Sequence, residues 1–307
     1  MVPRLQPGST IGVIAPSGVF NPQRLQHGLD RLRQVGDFTF RFAKNLGERT
    51  PLIPGNLSQN YEFSGSDPDR IDSLHTMFAD EEIEAIFCVR GGHGVLRILD
   101  QLDYDLIRSH PKILMGFSDI TALLLAIHQQ CDFTTFHGPM IQHDWGRATS
   151  EVSTITRESF QKLLVEGTAY HMEISGHLFR ADRISGQLIG GNLAMLTSLL
   201  GTPFFPDVRG KILFLEDVNE HIYKLDRMLH HLRLANQLNH LHGIIWGQTP
   251  LAPTDHAFLR MIADRFRLPV AGFLPFGHAH DNVILPLGGV IDLQKHHNQT
   301  LIVRIAL

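Results

Sequence analysis

At 307 residues, with 43% hydrophobic and 19% charged residues, the chain has ordinary globular composition and room for two domains with ample core. A formal net charge of −4 offers no basic footprint for nucleic acid and no polybasic patch for a membrane surface. Two cysteines cannot build a disulfide framework, and Cys88 lies in an apolar run that suits a reduced core thiol.

The opening MVPRLQPGSTIGVIAPSG has no long apolar core flanked by a cleavage-type site, so it reads as an entering strand. The longest uninterrupted aliphatic run, residues 122–127, is far too short to span a bilayer, and a soluble cytoplasmic protein is expected. A strand over 10–15 leads through Pro16-Ser17-Gly18 to a helix over 22–35, with Leu25, Leu29 and Leu32 on one face. Alternation marks a second strand at 38–42, followed by a polar connection at 58–65. Asp67-Pro68 then reads as an N-cap with proline at the first helical position, opening a helix that runs to about Phe78. A buried strand over 83–89 ends in Arg90-Gly91-Gly92-His93-Gly94, and a helix starts near Val95. Residues 112–115 form a short buried strand that passes through Gly116-Phe117-Ser118-Asp119 into a helix, with Ile120, Leu123, Leu124 and Ile127 on one face. Strands alternating with helices imply an open parallel sheet with helices on both faces.

Residues 144–182 are polar and weakly periodic, and read as an inter-domain connection with one helix near 158–165. They divide an N-terminal α/β domain, 1–143, from a C-terminal one, 183–307. The second half begins with a strand over 184–189 and a Gly190-Gly191-Asn192 turn into a helix ending at Gly201. A strand over 211–215, a helix over 222–234, a strand over 243–246 and a helix over 255–266 follow. Further strands are expected at 270–274, 283–285 and 301–305.

A strand that turns at once into a helix lifts one side chain clear of the backbone, and that side chain belongs to Ser118. The helix N-terminus beneath it supplies free N–H groups and a partial positive charge, which favour a developing anion. This is the mechanical idea of a nucleophile elbow, although Ile120 stands where G-x-S-x-G has its last glycine. A capping serine is the plain alternative. Glu216 closes the strand KILFLE, and His278 follows the strand VAGFL through Pro275-Phe276-Gly277. In open α/β sheets functional side chains collect at the C-terminal ends of strands. Ser, Glu and His are the nucleophile, carboxylate and imidazole required to activate a weak hydroxyl near neutral pH. Gly91 and Gly92 allow the backbone to approach a ligand, and their N–H groups, with that of Asp119, suit an oxyanion hole. An ordinary βα turn wants glycine too. The glycines at 186–191 fit neither G-x-G-x-x-G nor a P-loop. None of the nineteen histidines falls in HExxH or at zinc-finger spacing from a cysteine, so no metal is expected.

The segments VRGGHGVLRIL, ILMGFSDITALLLA, TFHGPM, LIGGNLAMLTSLLGTPFFPDVRGKILFLEDVNE and GFLPFGHAHDNVILPLG together resemble the LD-carboxypeptidase family of serine peptidases. That family includes murein tetrapeptide LD-carboxypeptidases and microcin immunity peptidases. The resemblance implies a flavodoxin-like N-terminal domain and a C-terminal α/β domain, with the active site in the cleft between them. It implies Ser118 as nucleophile, Glu216 as acid and His278 as base, with no metal or organic cofactor. His280, two residues on, is the other imidazole of that motif. The implied reaction releases terminal D-alanine from murein tetrapeptides during cytoplasmic peptidoglycan recycling. Many relatives carry tyrosine where His93 stands, which bears on the substrate wall. Arg90 is the nearest cation for a substrate carboxylate, and pairing with an Asp or Glu is its structural alternative. Hydrolysis of a peptidyl-nucleotide antibiotic is a second reading, and an inert peptide-binding protein a third. The stretch between Glu216 and His278 is compact, without a long aromatic insertion, which favours murein peptides. A small peptide is the expected partner, and self-association as a homodimer stays open.

Overall fold

The computed structural model describes residues 4–53, 61–148, 151–248, 256–297 and 299–307. Its strands, in chain order, are β1 (Thr10–Ile14), β2 (Thr39–Phe42), β3 (Thr50–Pro51), β4 (Glu62–Phe63), β5 (Ile83–Cys88), β6 (Ile113–Gly116), β7 (Phe136–His137) and β8 (Tyr170–Ser175). They continue with β9 (His177–Phe179), β10 (Arg183–Asn192), β11 (Ile212–Glu216), β12 (Gly243–Gly247), β13 (Val270–Leu274), β14 (Leu285–Pro286), β15 (Val290–Lys295) and β16 (Thr300–Ala306). The α-helices are α1 (Pro22–Gly36), α2 (Asp67–Ala79), α3 (Tyr104–Ser109), α4 (Ile120–Cys131), α5 (Thr154–Phe160), α6 (Leu193–Ser198), α7 (Ile222–Leu234) and α8 (His256–Phe266).

Two sheets organise the chain. The first has the order β14-β7-β6-β5-β1-β2 and is parallel except for β14. The second has the order β8-β16-β15-β10-β11-β12-β13-β9, with a parallel centre from β10 to β13 and antiparallel flanks. Central strands β5, β6, β11 and β12 are almost wholly buried, which is why they read as continuous apolar runs without alternation. Flanking strands β8 and β16 alternate buried and exposed, as one-sided antiparallel strands do.

Several boundaries differ from expectation. Helix α2 is capped by Ser66, not Asp67: Ser66 and Asp69 form a reciprocal capping box, so the proline sits one position further in. The helix expected at Val95 is two short 3-10 turns, 95–97 and 99–101. The stretch 144–182, expected as a connection, carries α5, a continuing π-turn over 161–166, and the strands β8 and β9 at opposite edges of the second sheet. The chain also crosses back: β14, from the second half, adds antiparallel to β7 in the first sheet. Parts of two expected elements, residues 58–60 and Asp255, lie outside the described residues.

The Gly190-Gly191 pair, expected as a turn, is the end of β10. This ten-residue strand pairs antiparallel with β15 through its first half and parallel with β11 through its second. Both glycines have φ near +140°, and a Cβ on Gly190 would lie 2.0 Å from the Phe214 carbonyl oxygen. A Cβ on Gly191 would meet Thr121 of α4 at 2.5 Å, so glycine here lets the second sheet touch the helix behind Ser118. Gly190→Ala is expected to lose roughly 3 kcal/mol or more, through overpacking and backbone strain together. Gly201→Ala, also at positive φ but with nothing within 4 Å, should lose only about 1–2 kcal/mol. Urea unfolding midpoints of the two variants check the contrast.

Candidate active site

Ser118 stands between the last residue of β6 and the first of α4, with φ at +63°. A non-glycine residue held there stores on the order of 1–3 kcal/mol, which persists only where the surroundings enforce it. The capping alternative does not fit. Asp119 occupies the cap position, and among the described residues the Ser118 hydroxyl makes no capping bond.

The Asp119 carboxylate turns inward instead. Its Oδ2 accepts from Ser17 Oγ at 2.6 Å and from the Val95 N–H at 3.1 Å, while Ser17 Oγ also lies 3.1 Å from the His93 carbonyl oxygen. Burial pushes the Asp119 carboxyl above its ordinary pKa. The turns after β1, β5 and β6 are thereby joined at one carboxylate. Arg70, fully buried, ties the same loops from behind: it donates to the carbonyls of Pro16 at 2.7 Å and Gly94 at 3.0 Å and pairs with Asp67. In this anchored loop a Cβ on Gly91 would lie 2.9 Å from Ser118 Cβ and 3.3 Å from the Asp119 nitrogen. Gly91 therefore packs directly on the Ser118 turn. Gly92, at φ +128°, packs against Gly18.

Glu216 ends β11 and is completely buried. Its Oε2 lies 2.6 Å from His278 Nδ1, and its Oε1 accepts from Asn192 Nδ2 at 3.1 Å. Burial would lift the Glu216 carboxyl, but the adjacent imidazole and the hydrogen bonds hold it below the ordinary range. Burial pulls the other way on His278, where the Glu216 charge and hydrogen bond win and leave the imidazole above its ordinary 6.5. With Nδ1 committed to Glu216, Nε2 is the nitrogen left for chemistry. The His278 ring packs edge-on at 4.9 Å against Phe117, the residue before Ser118. Ser118 and His278 are thus neighbours through Phe117 and are not hydrogen-bonded to each other. His280, by contrast, is half exposed and directs its Nδ1 at Asp281.

The two other sequence candidates have clear surroundings. Arg90 donates to the carbonyls of Gly91 at 3.0 Å and Val19 at 2.8 Å, and among the described residues no carboxylate pairs with it. The His93 ring packs at 4.8 Å from Phe63 and 5.5 Å from Tyr61, with Nε2 buried and without a partner among the described residues.

Four neighbours were not legible in the sequence. Asn192 is the register partner of Glu216. Its backbone N–H donates to Thr121 Oγ1 at 3.1 Å, its Nδ2 to Glu216, and its Oδ1 caps α6 by accepting from Met195 N. An asparagine before a helix signals only the cap. Ser17 sits in an unremarkable turn. His137 lies beneath the pair, packed on Phe117, Phe214 and Phe276; complete burial drives its pKa down to about 4, so it stays neutral. Asp217, the next residue after Glu216, is pushed up to about 6 by burial and by that neighbouring charge.

Residues 11–138 match the family model of the LD-carboxypeptidase N-terminal domain, and residues 185–293 that of the LD-carboxypeptidase C-terminal domain. The chain belongs to the LD-carboxypeptidase family. It is 36% identical over 295 residues to a probable murein peptide carboxypeptidase of Bacillus subtilis (strain 168), covering 92% of this chain and 88% of the relative. It is 28% identical over 320 residues to the microcin C7 self-immunity protein MccF of Escherichia coli, covering 92% of this chain and 89% of that protein. The crystal structure of muramoyltetrapeptide carboxypeptidase from Oxalobacter formigenes superposes with a TM-score of 0.82 at 27% identity, covering 97% of this chain and 99% of that one. The enzyme is accordingly a serine-type LD-carboxypeptidase with the two-domain α/β fold of its relatives. Among the described residues, no helix is long and apolar enough to cross a membrane.

Proposed function

We propose that this LD-carboxypeptidase hydrolyses the L,D-peptide bond of murein tetrapeptides and releases terminal D-alanine in the cytoplasm, as a step of peptidoglycan recycling. The observation that carries the chemistry is the buried Glu216–His278 hydrogen bond of 2.6 Å beside the strained Ser118 turn. The murein substrate is supported by likeness to relatives named for murein peptides.

In this reading His278 Nε2 takes the Ser118 proton as Oγ attacks the scissile carbonyl. Glu216 fixes the imidazole's tautomer and stabilises its charged form. The N–H groups of Asp119 and of Gly91 or Gly92 hold the tetrahedral oxyanion, each worth on the order of 3 kcal/mol of barrier. His278 then gives its proton to the departing D-amino acid, and water releases the acyl group from Ser118. Arg90 lends positive charge to the oxyanion side of the loop, and His93, with Tyr61 and Phe63, forms part of the substrate wall. No metal or organic cofactor takes part.

The likeness to MccF supports a second reading, cleavage of a peptidyl-nucleotide antibiotic. Incubating the enzyme with a murein tetrapeptide and, separately, with a peptidyl-nucleotide decides between them by mass spectrometry. Release of one D-alanine from the tetrapeptide at much higher kcat/KM is expected. The opposite preference would transfer the enzyme to the microcin-type reaction.

A further inference from the structure

An exopeptidase must hold the free carboxylate of its substrate, and the direction of proton transfer says where. The imidazole that takes the proton from the nucleophile returns it to the departing amine. The leaving amino acid therefore lies on the His278 side of the scissile carbonyl, with its carboxylate one carbon from the nitrogen that His278 protonates. The group that grips this carboxylate has to stand beside His278, not behind the oxyanion loop.

His143 stands there. Its ring is 5.7 Å from that of His278, nearly perpendicular to it, and both pack on Phe117. His143 Nδ1 faces Oδ1 of Asp144 at 3.3 Å, and Asp144 is itself buried, with Oδ2 accepting the Met140 N–H at 2.8 Å. The His143 side chain nevertheless keeps 31% exposure, and its Nε2 has no protein partner among the described residues. Arg147 fastens this segment to the His278 loop. Its Nε donates to the His143 carbonyl at 3.1 Å, and its Nη2 to the Ala279 carbonyl at 2.6 Å. Asn282 closes the loop from the other side, with Oδ1 accepting the Gly277 N–H at 3.0 Å and its own N–H donating to Thr156 Oγ1 at 2.9 Å. His143 is thus held in a fixed relation to His278. Arg90, by contrast, belongs to the glycine loop through Val19 and Gly91.

We propose that His143, oriented by Asp144, binds the α-carboxylate of the leaving amino acid and so sets the enzyme's demand for a free C-terminus; the assignment rests on the carboxypeptidase reading of the same site. Nδ1 faces Asp144, and Nε2 is the ring nitrogen offered to the carboxylate. An amidated C-terminus brings no charge to meet it.

The test compares tetrapeptides ending in D-alanine and in D-alanine amide on the wild type, His143→Gln and Arg90→Gln. The wild type should strongly prefer the free acid. His143→Gln should lower kcat/KM for the acid by roughly 30-fold, mostly through KM, and change the amide by less than about threefold, the loss expected for one charged hydrogen bond. Arg90→Gln should lower both substrates by a common factor. As a check that needs no variant, the His143 ring signals of the wild type should shift on titration with D-alanine but not with D-alanine amide. An equal loss on both substrates, an unaffected acid, or His143 signals indifferent to D-alanine would each overturn the assignment. A wild type that cleaves acid and amide alike would instead overturn the exopeptidase reading, and the assignment with it.

Discussion

Ser118→Ala is expected to remove turnover of a D-alanine-terminated tetrapeptide by about 10⁴-fold or more, with the fold and substrate affinity largely preserved. The hydroxyl is not used as a helix cap and makes no hydrogen bond among the described residues, so its removal deprives the fold of little. Alanine can keep the same backbone, with φ at +63°, because no hydrogen bond of the hydroxyl among the described residues holds that conformation. The measurement is single-turnover kinetics alongside binding of uncleaved tetrapeptide by calorimetry. A variant that still binds the peptide and hydrolyses it at more than about a hundredth of the wild-type rate would remove Ser118 from the mechanism. Labelling of wild-type Ser118 by a fluorophosphonate, absent in the variant, offers an independent check of the nucleophile.

The second large effect concerns the buried pair. Glu216→Gln should lower kcat by about 10³–10⁴-fold and also move its pH dependence. The sign follows from the opposing influences on His278. In the wild type the Glu216 charge and hydrogen bond outweigh burial and hold the imidazole above 6.5. The base is neutral only above that raised value, so kcat/KM falls as pH drops through it. Glutamine removes the charge but not the burial, and burial alone depresses an imidazole. The acid limb of the variant should therefore lie at lower pH than that of the wild type, on a much lower plateau. His278→Ala should be at least as inactive and have no such limb, and it strands the buried Glu216 carboxylate with Asn192 as its remaining side-chain hydrogen-bond partner among the described residues. His280→Ala, which removes a half-exposed ring paired with Asp281, should retain activity. An inactive His280 variant beside an active His278 variant would reverse the assignment of the base. An acid limb unmoved by Glu216→Gln would mean that the carboxylate does not govern the imidazole.

Much of this enzyme is written locally in its chain. The apolar run of β6, the immediate change to helical spacing from Ile120 and the absence of any loop between them determine a strand–helix junction, and with it the exposure of Ser118. The same holds for β11 ending at Glu216, since a buried parallel strand shows itself as a continuous apolar run and its C-terminal end follows from the first acidic residue. Helix α7 was legible to the residue, because a long amphipathic repeat leaves little freedom of boundary. Short or distant features were not. The two-residue strand β7 carries no period at all, and nothing local announces that the strand expected at 283–285, found as β14 at Leu285–Pro286, returns to the first sheet. Whether Glu216 meets His278 or His280 turns on a loop only a few residues long, and the 2.6 Å bond to His278 is a property of that loop's path across the sheet edge. Asn192 meets Glu216 because β10 and β11 pair in one register, and Thr121 meets Asn192 because two glycines let a strand approach a helix. His143 comes to face His278 across 135 positions of sequence through Phe117 and the Arg147 tie, in a stretch whose own pattern suggested only the end of a domain. Periodicity reports which face of an element is buried. Which residues of two separate elements touch is fixed by strand order, register and crossover, and those exist only in the folded molecule.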